Sequence, residues 1–297
     1  TSKVNRTISF SQTDPYFTID GVSRSFEVYN RRTDPSELNL GDYIIETTGA
    51  GLRFGYPISE FERISFGAGY EGTDLEVGPF SPDRFQRYVN DFGNSSYAVL
   101  LNAGYSFDSR DSAIAPTRGR VTRLTAEYAT PLGDQEFIRT TYQEQFYFPI
   151  GKLYTLALNG EVTGGFGLGD SPYPIFRNVY AGGIGTVRGY RSSTLGPRDA
   201  DNVPIGGSKR VIANAEFFFP IPGMSKDRTF RAFTFLDAGN VFQTNEKIKF
   251  GELRYSTGVG ISWLSPVGPL KFSLGVPLNR EPQDETQRVQ FTIGTGF

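Results

Sequence analysis

Period-2 alternation over long stretches constrains this chain more than any other feature. Tyr255, Thr257, Val259, Ile261 and Trp263 share one parity, while Ser256, Gly258, Gly260 and Ser262 occupy the other. At 97–107, Tyr97, Val99, Leu101, Ala103, Tyr105 and Phe107 stand against Ala98, Leu100, Asn102, Gly104 and Ser106. The split recurs at 64–71 and in the last stretch, where Val289, Phe291, Ile293, Thr295 and Phe297 oppose Gln290, Thr292, Gly294 and Gly296. Each apolar set lies on one face of a strand, because successive side chains point to opposite sides. The runs are about 10–14 residues long, the reach of a tilted strand across a bilayer and well above the usual soluble strand of about 5–6. Length therefore favours a membrane barrel over a soluble sandwich, which needs shorter strands and more frequent turns.

Composition agrees. No stretch of 18 or more apolar residues exists, so no transmembrane helix is expected. The negative mean hydropathy fits a barrel that shows lipid only every second residue. Glycine numbers 35 in 297 residues, about 12% against a usual figure of about 7%. With 26 Phe and 16 Tyr, this suits aromatic girdles around a small-residue lumen. A Gly-rich disordered chain would lack the aromatics.

Cysteine and histidine are both absent. This removes thiol chemistry, disulfides, zinc sites of the usual kind and every catalytic arrangement that uses imidazole as base. We expect no enzyme, no metal and no cofactor. The net charge of −2 points to no nucleic-acid partner. No signal peptide opens the sequence.

We read thirteen strands, at roughly 4–12, 22–31, 43–56, 61–72, 95–107, 119–130, 135–148, 152–166, 208–219, 229–237, 253–265, 270–278 and 287–297, with boundary errors of several residues. The expected fold is all-β, an antiparallel meander forming one barrel domain over 1–297. Connections alternate in length. Short ones carry Pro and Gly, as in Phe148-Pro149-Ile150-Gly151, Pro220-Ile221-Pro222-Gly223 and Pro266-Val267-Gly268-Pro269; longer ones fall at 32–42, 73–94, 167–207 and 238–252. Short turns on one side and long loops on the other are the outer-membrane pattern, with turns periplasmic. Segment 167–207, rich in Gly and Pro, far exceeds an ordinary connection, and such loops are usually functional or disordered. An odd strand count leads us to expect missing strands before Thr1, since bacterial single-chain barrels have an even number and lipid tolerates no open edge.

Inside that loop lies Ala181-Gly182-Gly183-Ile184-Gly185-Thr186-Val187-Arg188-Gly189-Tyr190, preceded by Phe176-Arg177-Asn178-Val179-Tyr180 and followed by Leu195-Gly196-Pro197. Asp14-Pro15-Tyr16-Phe17, Leu236-Asp237-Ala238-Gly239 and Leu264-Ser265-Pro266-Val267-Gly268-Pro269-Leu270 spread further matches along the chain. Together these resemble the outer-membrane barrel-assembly superfamily, whose sixth extracellular loop bears a Val-Arg-Gly-Tyr/Phe signature; the longer match favours its assembly-factor branch. The resemblance implies a sixteen-stranded barrel behind periplasmic POTRA domains. It also implies an insertase that works on client β-barrel proteins in outer-membrane lipid through a lateral seam between first and last strands. Accessory lipoproteins are implied mainly through the POTRA domains. Relative to that pattern the POTRA domains and about three strands are absent, so the chain holds only the last seam strand. A two-partner secretion pore shares the motif and is the alternative; the number of upstream POTRA domains separates the two.

Val187, Arg188, Gly189 and Tyr190 form the candidate loop motif. Arginine on a loop folded into the lumen needs an anion, and its donor fork suits carboxylates. Glu216 sits on the parity opposite Val211, Ala213, Ala215, Phe217 and Phe219, hence facing the lumen; Asp237 ends the next strand. The resemblance assigns the same two positions as partners. Gly189 permits positive φ or close approach, and Tyr190 is expected against the lumen wall. Anchoring alone explains all of these residues; a role in a working cycle stays open. On the last strand, Phe291, Ile293 and Phe297 share the lipid parity and have the form of a C-terminal β-signal, read by strand pairing, or of plain girdle aromatics. Gly294, mid-strand, would permit a kink. Asp108-Ser109-Arg110-Asp111 is read as a turn, and Gly164–Gly169 lacks what a phosphate loop needs.

Overall fold

The computed structural model describes residues 5–38, 41–221, 223, 229–266 and 268–294 of the chain. Strands β1 (Asn5–Asp14), β2 (Ser23–Thr33), β3 (Tyr43–Pro57), β4 (Glu62–Val77), β5 (Ser95–Asp108), β6 (Gly119–Ala129), β7 (Phe137–Ile150) and β8 (Tyr154–Gly167) follow one another as a meander. After the long loop, with its two-residue strand β9 (Gly189–Tyr190), come β10 (Lys209–Pro220), β11 (Phe230–Phe242), β12 (Arg254–Ser265) and β13 (Gly268–Pro277). Strand β14 (Thr286–Gln287) pairs with β9, and β15 (Val289–Ile293) ends the described wall. Omitting β9 and β14, the strands form one 13-stranded antiparallel sheet in chain order. Among the described residues nothing pairs β1 with β15.

The alternation sorts itself as its physics requires. On β12, Tyr255, Val259, Ile261 and Trp263 are exposed, and Ser256 and Gly260 are buried. The inverted arrangement, apolar outside and polar inside, is an aggregation hazard in water and the normal wall of a barrel in lipid. No helix of the described residues is long and apolar enough to cross a membrane.

The sheet curves around the loop at 168–208. Tyr180 of the loop meets Tyr43 of β3 (Oη–Oη 3.2 Å). Arg177 meets Glu71 of β4 and Glu127 of β6, the latter at 3.5 Å, and the Tyr190 carbonyl accepts from Gln290 Nε2 of β15 at 2.7 Å. One loop reaches strands from both ends of the sheet only if the sheet wraps it.

Three expectations need correction. Segment 73–94 is not all loop: β4 runs to Val77, and helix α1 (Asp83–Phe92) follows. Phe85, Tyr88, Val89 and Phe92 have helical spacing, and Phe85 stacks on Tyr43 with ring centroids 4.0 Å apart. Asp237 does not end β11, which continues to Phe242. Ala238–Phe242 therefore lie in the strand and not in the expected 238–252 connection, and Gly239 is a packing glycine. A Cβ there would stand 2.6 Å from Ile212 Cδ1 and 2.9 Å from Val187 Cγ2, a loop residue. Finally, the last strand does not begin at 287. Gln287 belongs to β14, β15 covers Val289–Ile293, and Gly294 follows it with φ +125° and its N–H donating to the Pro269 carbonyl at 2.8 Å. Residues 295–297, on which the mid-strand placement of Gly294 depends, lie outside the described residues.

Candidate functional site: the lumen loop and its anchor

A glycine turn delivers the motif to the wall. Gly182 and Gly183 have φ of +102° and +95°, a region open to glycine at little cost. Gly182 N–H donates to Thr186 Oγ1 (2.8 Å), and Gly183 N–H to the Val187 carbonyl (3.1 Å). Val187 then enters a buried cluster with Val179, Ala181, Tyr190, Leu195, Ile212 and Val241. That cluster is the loop's own core, sealed against β10 and β11.

Arg188 points into the wall and is 2% exposed. Nε and Nη2 donate to the two oxygens of Asp237, at 2.7 and 2.6 Å, and its backbone N–H adds a bond to Asp237 Oδ2 at 3.0 Å. Nη1 donates to Glu216 Oε1. The guanidinium lies 3.7 Å from the centroid of the Phe235 ring, a cation–π contact in a dry setting.

The structure brings together all three charged residues expected from the sequence and adds a fourth, Lys271, and a neutral amide, Asn214. Lys271 Nζ of β13 donates to both oxygens of Glu216, at 2.7 and 2.9 Å. Asn214 Nδ2 bonds Asp237 Oδ1 at 2.9 Å and the Thr186 carbonyl at 2.7 Å. Two cations and two anions thus share one buried cluster with no net charge. Lys271 was legible: it is a mid-strand lysine on the lumen parity with Ser273, and such a group needs an anion.

Gly189, at φ +84°, lets the loop backbone lie on β13. A Cβ on Gly275 would stand 2.7 Å from Gly189 N, so two glycines face each other across this contact. Tyr190 is fully buried, and its hydroxyl donates to the Tyr255 carbonyl at 3.3 Å. Gln290 of β15 donates to Tyr190 O, so the motif also touches the last strand. A second anchor, missed in the sequence, is Arg177 between Glu71 and Glu127.

Phe291 and Ile293 lie on the outer face, 57% and 65% exposed. Phe297 lies outside the described residues, as do Val4, Thr295, Gly296, Pro222, Val267 and residues 224–228. Asp108–Asp111 is a turn: Arg110 Nε and Nη2 clasp Asp108 at 2.9 and 2.7 Å, and Asp111 Oδ1 accepts from Thr117 N (2.8 Å) and Arg118 N (3.1 Å). Burial pushes the Asp111 carboxyl up, but the bonds from the Thr117 hydroxyl and these backbone N–H groups outweigh it and hold the group below its ordinary value.

A lipid-facing antiparallel wall wrapped around an arginine-pinned inner loop defines an outer-membrane β-barrel with a lumen-inserted loop. The Omp85 superfamily domain matches residues 1–297, and the chain belongs to that superfamily. It is 36% identical over 336 residues to the outer membrane protein assembly factor BamA of Neisseria meningitidis, matching all of this chain and 42% of that protein. The crystal structure of BamA from Haemophilus ducreyi lacking POTRA domains 1–3 superposes with a TM-score of 0.90 at 25% identity, over 97% of this chain and 61% of that one. CdiB from Acinetobacter baumannii, at 13% identity, gives 0.58 over 97% and 48%, which speaks to the fold alone. The chain spans less than half the length of its curated Neisseria relative.

Proposed function

We propose that this chain is the barrel of an outer-membrane assembly factor, which inserts and folds client β-barrel proteins. The observation that carries the reading is the 36% identity, along the whole chain, to a protein named for that activity. Its mechanism needs no bond chemistry and no catalytic residue. The edge of the last strand offers unpaired N–H and C=O groups, on which a client strand adds by β-augmentation. Among the described residues, β15 matches β13 over five register pairs, against fifteen between β3 and β4. The arginine-pinned loop braces that strand through Gln290 and fixes the wall beside it. Lipoprotein partners would act through POTRA domains of a longer protein.

Depletion of the protein in its host is the test, with outer-membrane content read by quantitative proteomics. Loss of many unrelated barrels supports assembly. Loss of a single secreted protein with other barrels intact would establish the secretion-pore reading instead.

A further inference from the structure

The outer wall carries a polar patch that neither the loop anchor nor the assembly reading uses. One register row crosses four strands: Glu62 pairs with Phe107, Phe107 with Thr122, and Thr122 with Glu144. The row above holds Ile64, Tyr105, Leu124 and Tyr142. The row below sets Arg120 opposite Phe146. All these residues share the outward parity of Phe66, Leu101, Leu124 and Tyr142, which are exposed. A carboxylate there faces lipid, which is costly at the bilayer centre and tolerated near the interface. The patch lies at the turn end of the wall, where β4 begins at Glu62 and β6 at Gly119. Phe61, Phe107, Phe146 and Phe148 surround it as an aromatic girdle, the level of lipid headgroups.

Its hydrogen bonds leave two groups unmatched. Glu62 is satisfied by Tyr105 Oη (2.9 Å) and Ser59 Oγ (3.2 Å). Glu144 Oε2 accepts from Tyr142 Oη at 2.8 Å, but Glu144 Oε1 is buried with no partner. Arg120 is exposed, its guanidinium 4.4 Å over the Phe107 ring, with no side-chain ion pair among the described residues. Arg120 and Glu144 are diagonal cross-strand neighbours, about 7–8 Å apart at this kind of position. An acceptor and a cation on neighbouring outward positions, in a headgroup layer, complement a zwitterion.

We propose that the patch binds the headgroup of an amine-bearing phospholipid of the periplasmic leaflet, its phosphate on Arg120 and its primary ammonium on Glu144. A quaternary ammonium has no N–H to donate to Glu144, and a glycerol headgroup brings no cation. The inference does not depend on the assembly reading.

Native mass spectrometry on the full-length protein isolated from outer membranes tests this, with phosphatidylethanolamine, phosphatidylcholine and phosphatidylglycerol each added at the same concentration. The wild-type protein should retain the ethanolamine lipid about tenfold over the choline lipid, the factor one charge-assisted hydrogen bond supplies. Glu144→Gln should bring that ratio to about one, and Arg120→Gln should weaken all three lipids. Equal retention of the first two lipids by the wild-type protein overturns the proposal, and that comparison needs no variant. An unchanged ratio in a Glu144→Gln protein of native gel mobility overturns it as well.

Discussion

Arg188 grips Asp237 through both carboxylate oxygens, at 2.7 and 2.6 Å, and again through its own backbone N–H at 3.0 Å. Side chain and main chain of one loop residue thus converge on one wall residue. The contact fixes the position of the loop as well as the direction of the guanidinium. Asp237 is fully buried, so removing its charge strands a cation in the interior. Asp237→Asn should destabilise the folded barrel by about 3–5 kcal/mol, the usual effect of breaking one side of a buried pair. Thermal unfolding followed by the gel shift between folded and heat-denatured forms measures it. A loss of less than about 1 kcal/mol, the scale of a surface pair, would mean that the cluster is hydrated and the anchor weak.

Gly275 and Gly189 lie in backbone contact, and a Cβ on Gly275 would meet Gly189 N at 2.7 Å. Gly275→Ala should push the motif off β13 at a cost of about 1–3 kcal/mol, as overpacking does. Arg191, two residues beyond Gly189, has a side chain 42% exposed. Trypsin added to intact cells should cleave there faster in the variant than in the wild-type protein. Equal cleavage would show that the loop does not rest on this glycine pair.

Amide exchange should be fastest at β15 among the strands of the wall. Among the described residues its five register pairs with β13 are the fewest in the sheet, and local opening tracks local contact. Gln290→Ala removes the bond to the Tyr190 carbonyl and should speed exchange at Thr292 by about fivefold to tenfold, one hydrogen bond's worth. No change at Thr292 would separate the loop motif from the last strand.

The turn at 109–118 should be stable at neutral pH and loosen only in acid. The Asp111 carboxyl is held below its ordinary value, so its folded form is favoured as the anion. That stabilisation is present above the unfolded value of about 3.9 and is lost as pH falls through the lower folded value. Protection of the Thr117 and Arg118 amides should therefore drop below about pH 4, and Asp111→Asn should abolish that dependence. Loosening that begins near pH 6 would assign the response to another group.

Much of the wall could be read directly. Thirteen strands were expected and the sheet contains thirteen, because alternation is a local consequence of backbone pleat. The parity of Glu216 followed from its apolar neighbours on β10 in the same way. Helix α1 escaped because Pro82 and Asp83 look like a turn, although four apolar residues behind them keep helical spacing. Gly239 fell inside the expected 238–252 connection for a related reason: glycine marks a loop and a tight packing contact with the same letter, and only the neighbouring Val187 tells them apart.

By itself, then, the sequence determined which residues face lipid, which face the lumen, and that a buried Arg188 would need carboxylates. Each of these depends on spacing within a single strand or on the charge of a single group. The tertiary structure alone decided which anion the lumen-facing Lys271 would meet, Glu216 from 55 residues away, that Arg177 forms a second anchor, and that Gln290 ties the motif to the last strand. Such meetings depend on how curvature and register accumulate over many strands, and no local pattern encodes that sum.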